Sequence, residues 1–336
     1  MNVSPAENPN SDPTKKSIFI KDLQTKDVVR STFLVRSKGL RPQKNGQSYL
    51  HLQLADRTGF IEAKVWDNAE SAHESLEEGN VVAIFGRVHD GAGNRHLTVQ
   101  QWVPLPESEI NWDDFYPKGP FDEKGESSEY RKLVSIFEGL ENPWIRELSL
   151  RLLNDPQISS RYPKCPAAKT IHHAFLGGLL AHTLSLIRVV EAICPLYPEL
   201  NREILLFGAA FHDFGKVFEL SFDGPFNYTD EGKLIGHISI GQVWIDRKIQ
   251  TIEGFPSDLE LQLKHMVLSH HGRLDYGSPK VPQTLEAIVL SSLDDLDSRI
   301  ESISQWIKAA KGTSRWTPVH KAYQVAFYRP DTSRSE

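Results

Sequence analysis

The apolar residues of this chain change period once, and the change divides it. Up to about residue 105 they recur at every second position; from residue 127 onward they recur at every third or fourth. A strand sends alternate side chains to opposite faces, whereas a helix gathers i, i+3 and i+4 on one side. No single layer can carry both periods. The 336 residues are enough for two ordinary domains, and the pattern predicts an all-β part followed by an all-α part.

The first part, residues 17–105, reads as five strands: 28–38, 48–56, 59–67, 80–90 and 95–105. In "SYLHLQLAD" Leu50, Leu52 and Leu54 share one face, and Tyr49, His51 and Gln53 the other. In "GFIEAKVWD" Ile61, Ala63 and Val65 oppose Phe60, Glu62, Lys64 and Trp66. The breaks are turn chemistry: Pro42, Asn45-Gly46, Gly59, Gly79-Asn80 and "DGAGN" at 90–94. A short helical stretch at 69–79 precedes the fourth strand, which is the layout of an OB-fold barrel.

Residues 106–126 read as an acidic, proline-containing linker, and residues 1–16 as a disordered polar leader without the apolar region of a signal peptide. Residues 127–310 read as a bundle, with helices expected over 129–140, 142–155, 169–194, 201–213, 232–252, 257–271 and 282–310. Residues 311–336 form a basic, aromatic tail.

Taken as a whole, the net charge of −6 disfavours a polyanionic partner, but it is unevenly placed. Residues 17–105 hold 11 basic and 10 acidic side chains, residues 106–130 hold 2 and 8, and residues 131–336 hold 23 and 24. The excess acid sits around the linker, so either flanking part is free to carry a local basic surface. Cys165 and Cys194 make neither a metal-type pair nor a disulfide framework. No apolar run reads as long enough for a membrane span. Together these features lead to the expectation of a cytoplasmic protein that does not engage a membrane.

Chemistry concentrates in the helical part. His182 interrupts "GLLAHTLSL"; His212 and Asp213 close the apolar run that begins at Ile204; His237 follows in "KLIGHISIG"; His270 and His271 end "VLSHH"; Asp294 and Asp295 lie in "SSLDDLD". Burying so many polar groups without a partner would cost several kcal/mol. Neutral imidazoles and carboxylates without thiolates suit divalent first-row metals, and helices around one core can bring such groups together. His51, His73, His89, His96, His265 and His320 show no such pattern and read as ordinary core or surface residues.

The order H…HD…H…HH…D resembles the HD-domain superfamily of metal-dependent phosphohydrolases in its two-metal form. On that resemblance Asp213 bridges two ions. His182, His212 and Asp294 complete one ion, and His237, His270 and His271 complete the other. Asp294 is chosen over Asp295 because "DDLD" fits the family's D-x-L-D ending. Lys216, three residues after Asp213, takes the role of a catalytic phosphate contact. With an OB-fold ahead of it, and with "HHAFLGGLLAHTLSL", "FHDFGK", "FNYTDEGKLIGHI" and "SHHG", the chain is similar to the YhaM-type 3′→5′ exoribonucleases from about residue 17 onward. The resemblance implies hydrolysis of single-stranded RNA, with single-stranded DNA as a further substrate, to nucleoside monophosphates. It also implies two divalent ions, Mn²⁺ before Co²⁺, Fe²⁺, Zn²⁺ or Mg²⁺.

For substrate contacts the sequence offers Tyr49, Phe60, Trp66 and Phe85 on the barrel, interleaved with Arg36, Lys38, Lys64 and Arg87, and Arg41 and Lys44 in the loop 39–47 that joins the first two strands. His172 and His173, before His182, are expected to line the cleft, and Tyr228 to shape its mouth. The aromatic tail leaves a homo-oligomer open. Two other readings compete: an HD phosphodiesterase for small or cyclic nucleotides, and a non-catalytic RNA-binding protein.

Overall fold

The computed structural model describes residues 15–43, 46–91, 94–116, 127–168, 175–222, 226–310, 314–320 and 322–330. Lys44, His172 and His173 lie outside them. The chain divides into two compact units, one from Met1–Lys118 with Ala309–Glu336 and the other Gly119–Lys308.

The first unit is a closed barrel of β1 (Val28–Pro42), β2 (Ser48–Asp56), β3 (Gly59–Val65), β4 (Val81–Gly91) and β5 (Asn94–Pro104), in the order β1-β2-β3-β5-β4. Closure depends on β1. Its first half pairs with β4 from Val28↔Arg87 to Leu34↔Val81, and its second half with β2 from Leu34↔Ala55 to Pro42↔Ser48. A bulge between Val35 and Ser37 lets one strand bend enough to serve both neighbours. β4 pairs antiparallel with β5 and is irregular between Phe85 and Gly86, where a Cβ on Gly86 would overlap the Thr98 carbonyl oxygen. Only glycine allows that approach. β3 and β5 pair in parallel, and α1 (Ala69–Ser75) leads from β3 toward β4.

The alternation read from the sequence is the barrel's inside and outside. Leu50, Leu52, Leu54, Ile61, Ala63 and Val65 are buried, each large one contributing about 2 kcal/mol. Trp66 stays 39% exposed and stacks on Tyr49 with ring centroids 4.8 Å apart. In the same unit, residues 315–320 and 322–329 come back together through the Trp316↔Tyr328 bridge and the Thr317 N–H to Phe327 O bond of 2.9 Å.

The second unit is helical: α2 (Ser128–Glu138), α3 (Pro143–Leu153), α4 (Pro156–Ser159), α5 (Gly178–Ile193), α6 (Arg202–Phe211), α7 (Lys216–Glu219), α8 (Asp230–Leu234), α9 (His237–Ile249), α10 (Ser257–Ser269) and α11 (Leu285–Ala309). Side-chain caps start several of them. Asn142 Oδ1 accepts from Trp144 N and Ile145 N, and Asn201 Oδ1 accepts from Glu203 N and Ile204 N.

Three expectations are corrected here. The helix read as 169–194 begins, among the described residues, at Gly178, because Gly177 is left-handed at φ +83°. The helix read as 232–252 is two helices, broken where Gly236 takes φ +79° and ψ 153°; His237 is therefore the first residue of α9 and not a mid-helix group. Gly178–Leu196 is, by length and composition, long and apolar enough to cross a membrane, contrary to the reading that no run reaches that length. In this fold its Leu179, Leu180, Leu186, Ile187 and Val190 are buried in the helical unit. A two-residue hairpin, β6 (Leu220–Ser221) with β7 (Asn227–Tyr228), has no counterpart in the sequence reading.

Candidate active site

Most of the cluster's groups sit where a helix starts or stops. α6 ends at Phe211, so His212 caps it and Asp213 falls in the turn that Lys216 N closes onto Asp213 O at 2.9 Å. His270 caps α10 and His271 follows; His237 opens α9. His182 is on the buried side of α5, and Asp294 lies within α11.

Each imidazole is held by its Nδ1, with Nε2 on the side of the centre. His212 Nδ1 donates to Gly208 O at 3.1 Å, His270 Nδ1 to Val267 O at 2.8 Å, and His271 Nδ1 to Tyr276 O at 2.9 Å. His237 Nδ1 meets Glu219 Oε1 at 3.0 Å, and His182 Nδ1 meets Asp297 Oδ2 at 2.7 Å. A proton fixed on Nδ1 by an acceptor is the arrangement metal-ligating histidines use.

The other ring nitrogens converge. Donor atoms of Asp213, His237, His270 and His271 all lie within 4.8 Å of one another, and so do those of His182, His212 and Asp213. Asp294 Oδ1 joins the second set, 3.1 Å from His182 Nε2 and 3.8 Å from His212 Nε2. Asp213 belongs to both. Its Oδ1 lies 3.3 Å from His237 Nε2 and 3.5 Å from His270 Nε2, yet these three buried atoms have no hydrogen-bond partner. Orphaned buried acceptors facing one another are costly unless a cation lies between them, so the residues present fit a divalent ion. An all-nitrogen-and-oxygen donor set agrees.

Electrostatics follow from the crowding. Burial pushes His212 down to about 4, and burial together with His270 pushes His271 down to about 4. Burial also opposes charge on His182, but Asp294 and Asp297 outweigh it and hold the ring up at about 9. Burial would raise Asp213; the Lys216 and His212 charges outweigh it and hold the carboxyl well below its usual range. Lys216 Nζ donates to Asp213 Oδ2 at 2.5 Å.

The cluster lines a cavity of about 680 Å³ that His182, Asp213, Lys216, His270, His271 and Asp294 share with the loop after His271 and one side of α11. Asp295 also borders it, but its carboxylate pairs with Arg299 at 2.8 Å, while the neighbouring Asp294 faces His182. Tyr228, expected at the mouth, is 42% exposed on β7 and is not among the lining residues. Glu219 and Asp297, which orient His237 and His182, were not singled out in the sequence. The only hint of Asp297 was its place at the end of "DDLD".

Among the described residues, Arg41, Lys64, Tyr49 and Trp66 share the outer face of the barrel. Arg41 pairs across to Tyr49, Tyr49 stacks on Trp66, and the Lys64 ammonium sits 5.6 Å from the Trp66 ring. His51 pairs with Glu62, and His265 Nε2 accepts from Gln283 N at 2.9 Å, so both have ordinary roles.

Comparison with known proteins agrees with both halves. Residues 32–105 match the model of the OB-fold nucleic acid binding domain, and residues 179–299 match that of the HD domain. The 3′-5′ exoribonuclease YhaM of Bacillus subtilis is 33% identical over 307 residues, covering 90% of this chain and 95% of the relative. The protein of the same name from Bacillus velezensis matches equally, and that from Listeria welshimeri is 32% identical over 310 residues, 92% of this chain and 97% of its own length. Matched over nearly its whole length and in both domains, the chain belongs to the YhaM family of 3′-5′ exoribonucleases.

Proposed function

We propose that the protein is a metal-dependent 3′→5′ exoribonuclease that shortens single-stranded RNA by one nucleoside monophosphate at a time. The observation that carries this is the pair of donor sets joined by Asp213 at one side of a cavity, in a chain collinear with named exoribonucleases. His182, His212, Asp213 and Asp294 would hold one ion, and Asp213, His237, His270 and His271 the other. Mn²⁺ is the preferred metal and single-stranded DNA a secondary substrate. When bound, such ions supply Lewis-acid stabilisation at phosphorus and lower the pKa of water.

The chain's own groups do the rest. The outer face of the barrel, with Arg41, Lys64, Tyr49 and Trp66, suits a strand whose phosphates need cations and whose bases need flat rings; Lys44 belongs to the same proposal. Lys216 brings a fixed positive charge to the cavity where charge grows on the phosphoryl oxygens. Hydrolysis joins a water oxygen to the last phosphorus. It breaks that phosphorus's bond to the 3′ oxygen of the penultimate nucleotide, which takes up a proton. A nucleoside 5′-monophosphate leaves.

A time course on 3′- and 5′-labelled single-stranded RNA with Mn²⁺ tests this. The expected result is a ladder shortening from the 3′ end with mononucleotide release, abolished by a chelator and restored by adding the metal back. Internal cleavage, or activity indifferent to chelation, would overturn it.

The outer partners should also register. Glu219→Gln removes the charge that faces both the main-chain N–H and the ring of His237, each at 3.0 Å. Metal affinity, read by titration of the metal-depleted protein, should fall about tenfold or more, with the thermal transition of that protein little changed.

A further inference from the structure

The part of the cavity lining that follows His271 has no role yet. The segment following His271 turns sharply between two left-handed glycines, Gly272 at φ +76° and Gly277 at φ +84°. It is pinned to α11, since a Cβ on Gly272 would overlap Ser291 Oγ. Between the glycines the chain makes a single 3₁₀ turn, Leu274–Tyr276, and Tyr276 leaves 60% of its surface exposed at the cavity wall. The main-chain oxygen of Tyr276 is the acceptor that orients His271, so the phenol ring is tied through its own backbone to a candidate metal ligand. The Arg273 guanidinium lies over this ring, 5.1 Å from its centroid, and is itself held by Asp275. Val281, Pro282 and Ile288 add apolar surface to the same wall.

Such a wall offers a flat face and little that discriminates one base edge from another. Stacking is tolerant of sequence because every base has a π face. A cavity of about 680 Å³ falls in the size range of small-ligand sites. If the scissile phosphate meets the Asp213 cluster, the nucleoside being removed must fit beside it. We propose that this wall is the subsite for the 3′-terminal nucleoside, with Tyr276 as the platform on which its base stacks. This rests on the exoribonuclease reading above. Tyr276 acts as a specificity and positioning residue: it makes a terminal base, of any identity, part of what the site holds before cleavage.

The test pairs a change in the protein with a change in the substrate. Wild type, Tyr276→Ala and Tyr276→Phe are assayed on a short single-stranded RNA and on the same RNA ending in an abasic ribonucleotide. Both variants keep the backbone acceptor for His271, and metal content and thermal stability are measured alongside. The expected result is a KM raised about tenfold or more by Tyr276→Ala, a similar rise for wild type on the abasic end, and no further rise when the two are combined. Tyr276→Phe should behave as wild type. Unchanged KM in Tyr276→Ala, or two effects that multiply, would overturn the subsite while leaving the exoribonuclease reading intact. A wild-type protein that leaves the intact RNA uncut would overturn both.

Discussion

Asp213→Ala should lower kcat on the order of 10³-fold or more and leave the purified protein short of both ions. No other side chain in the cluster belongs to both donor sets, so no other single change removes a ligand from each. His271→Ala, by contrast, touches one set only and should leave the His182 side able to bind metal. One complication is built into the site. Removing the Asp213 carboxylate strands the Lys216 ammonium, which it contacts at 2.5 Å in a buried setting, and uncompensated buried charge destabilises. Asp213→Asn is therefore the companion variant, keeping shape and a carbonyl oxygen while losing the charge. Activity and metal content measured on both variants decide the matter. Near-normal, chelator-sensitive activity in either would show that Asp213 does not join two ions.

Gly215→Ala should destabilise the helical unit by about 2–4 kcal/mol, a fall of roughly 5–15 °C in the thermal midpoint. A Cβ there would overlap the His237 carbonyl oxygen and lie 2.8 Å from its carbon and 2.9 Å from Gly241 N. All three neighbours are main chain, so no side chain can rotate to make room. The contact is also where the turn carrying Asp213 meets the first turn of α9 carrying His237, so metal affinity should fall with stability. Gly139→Ala is the control. Its new methyl would find only ordinary contacts, at 3.6 and 3.7 Å, and should stay within about 0.5 kcal/mol of wild type. Equal midpoints for the two variants would mean that the close approach at Gly215 is not needed.

How much of this could be read from residues alone depends on which forces leave a trace in sequence order. Burial does. Leu50, Leu52 and Leu54 alternate in the chain and are all fully buried. His182 and His212 stood out because they interrupt apolar runs, and both are almost completely buried. A two-residue backbone excursion leaves little trace, so the pattern of 232–252 runs smoothly across Gly236 while the helix does not. Asp294 and Asp295 were separable only through the family ending; in the helix, neighbours point about 100° apart, one toward His182 and one toward Arg299. Glu219 looks like any acid in "KVFELSF" until the hairpin after it and the start of α9 bring it onto His237. Tyr228 draws attention only because its loop leads to His237 in the chain, which does not tell whether its side chain lines the cavity; on β7 it is exposed to solvent instead.

The way the imidazoles are held also affects what genetics can see. Five rings are oriented through Nδ1, but only two of the acceptors, Glu219 and Asp297, are side chains. The other three are main-chain carbonyls, of Gly208, Val267 and Tyr276, and a carbonyl does not depend on the side chain beside it. Saturation mutagenesis would therefore read Glu219 and Asp297 as supports, while Gly208 would register through the overlap of a Cβ with Met266 and Leu290 and Tyr276 through its ring, neither through its carbonyl. It would score Val267 as tolerant to conservative replacement although its oxygen fixes a ring at the centre. Natural variation is filtered in the same way: the carbonyl supports at Val267 and Tyr276 persist through sequence drift that leaves the end of α10 and the turn at Tyr276 in place, and the one at Gly208 through drift that also keeps room beside Met266 and Leu290.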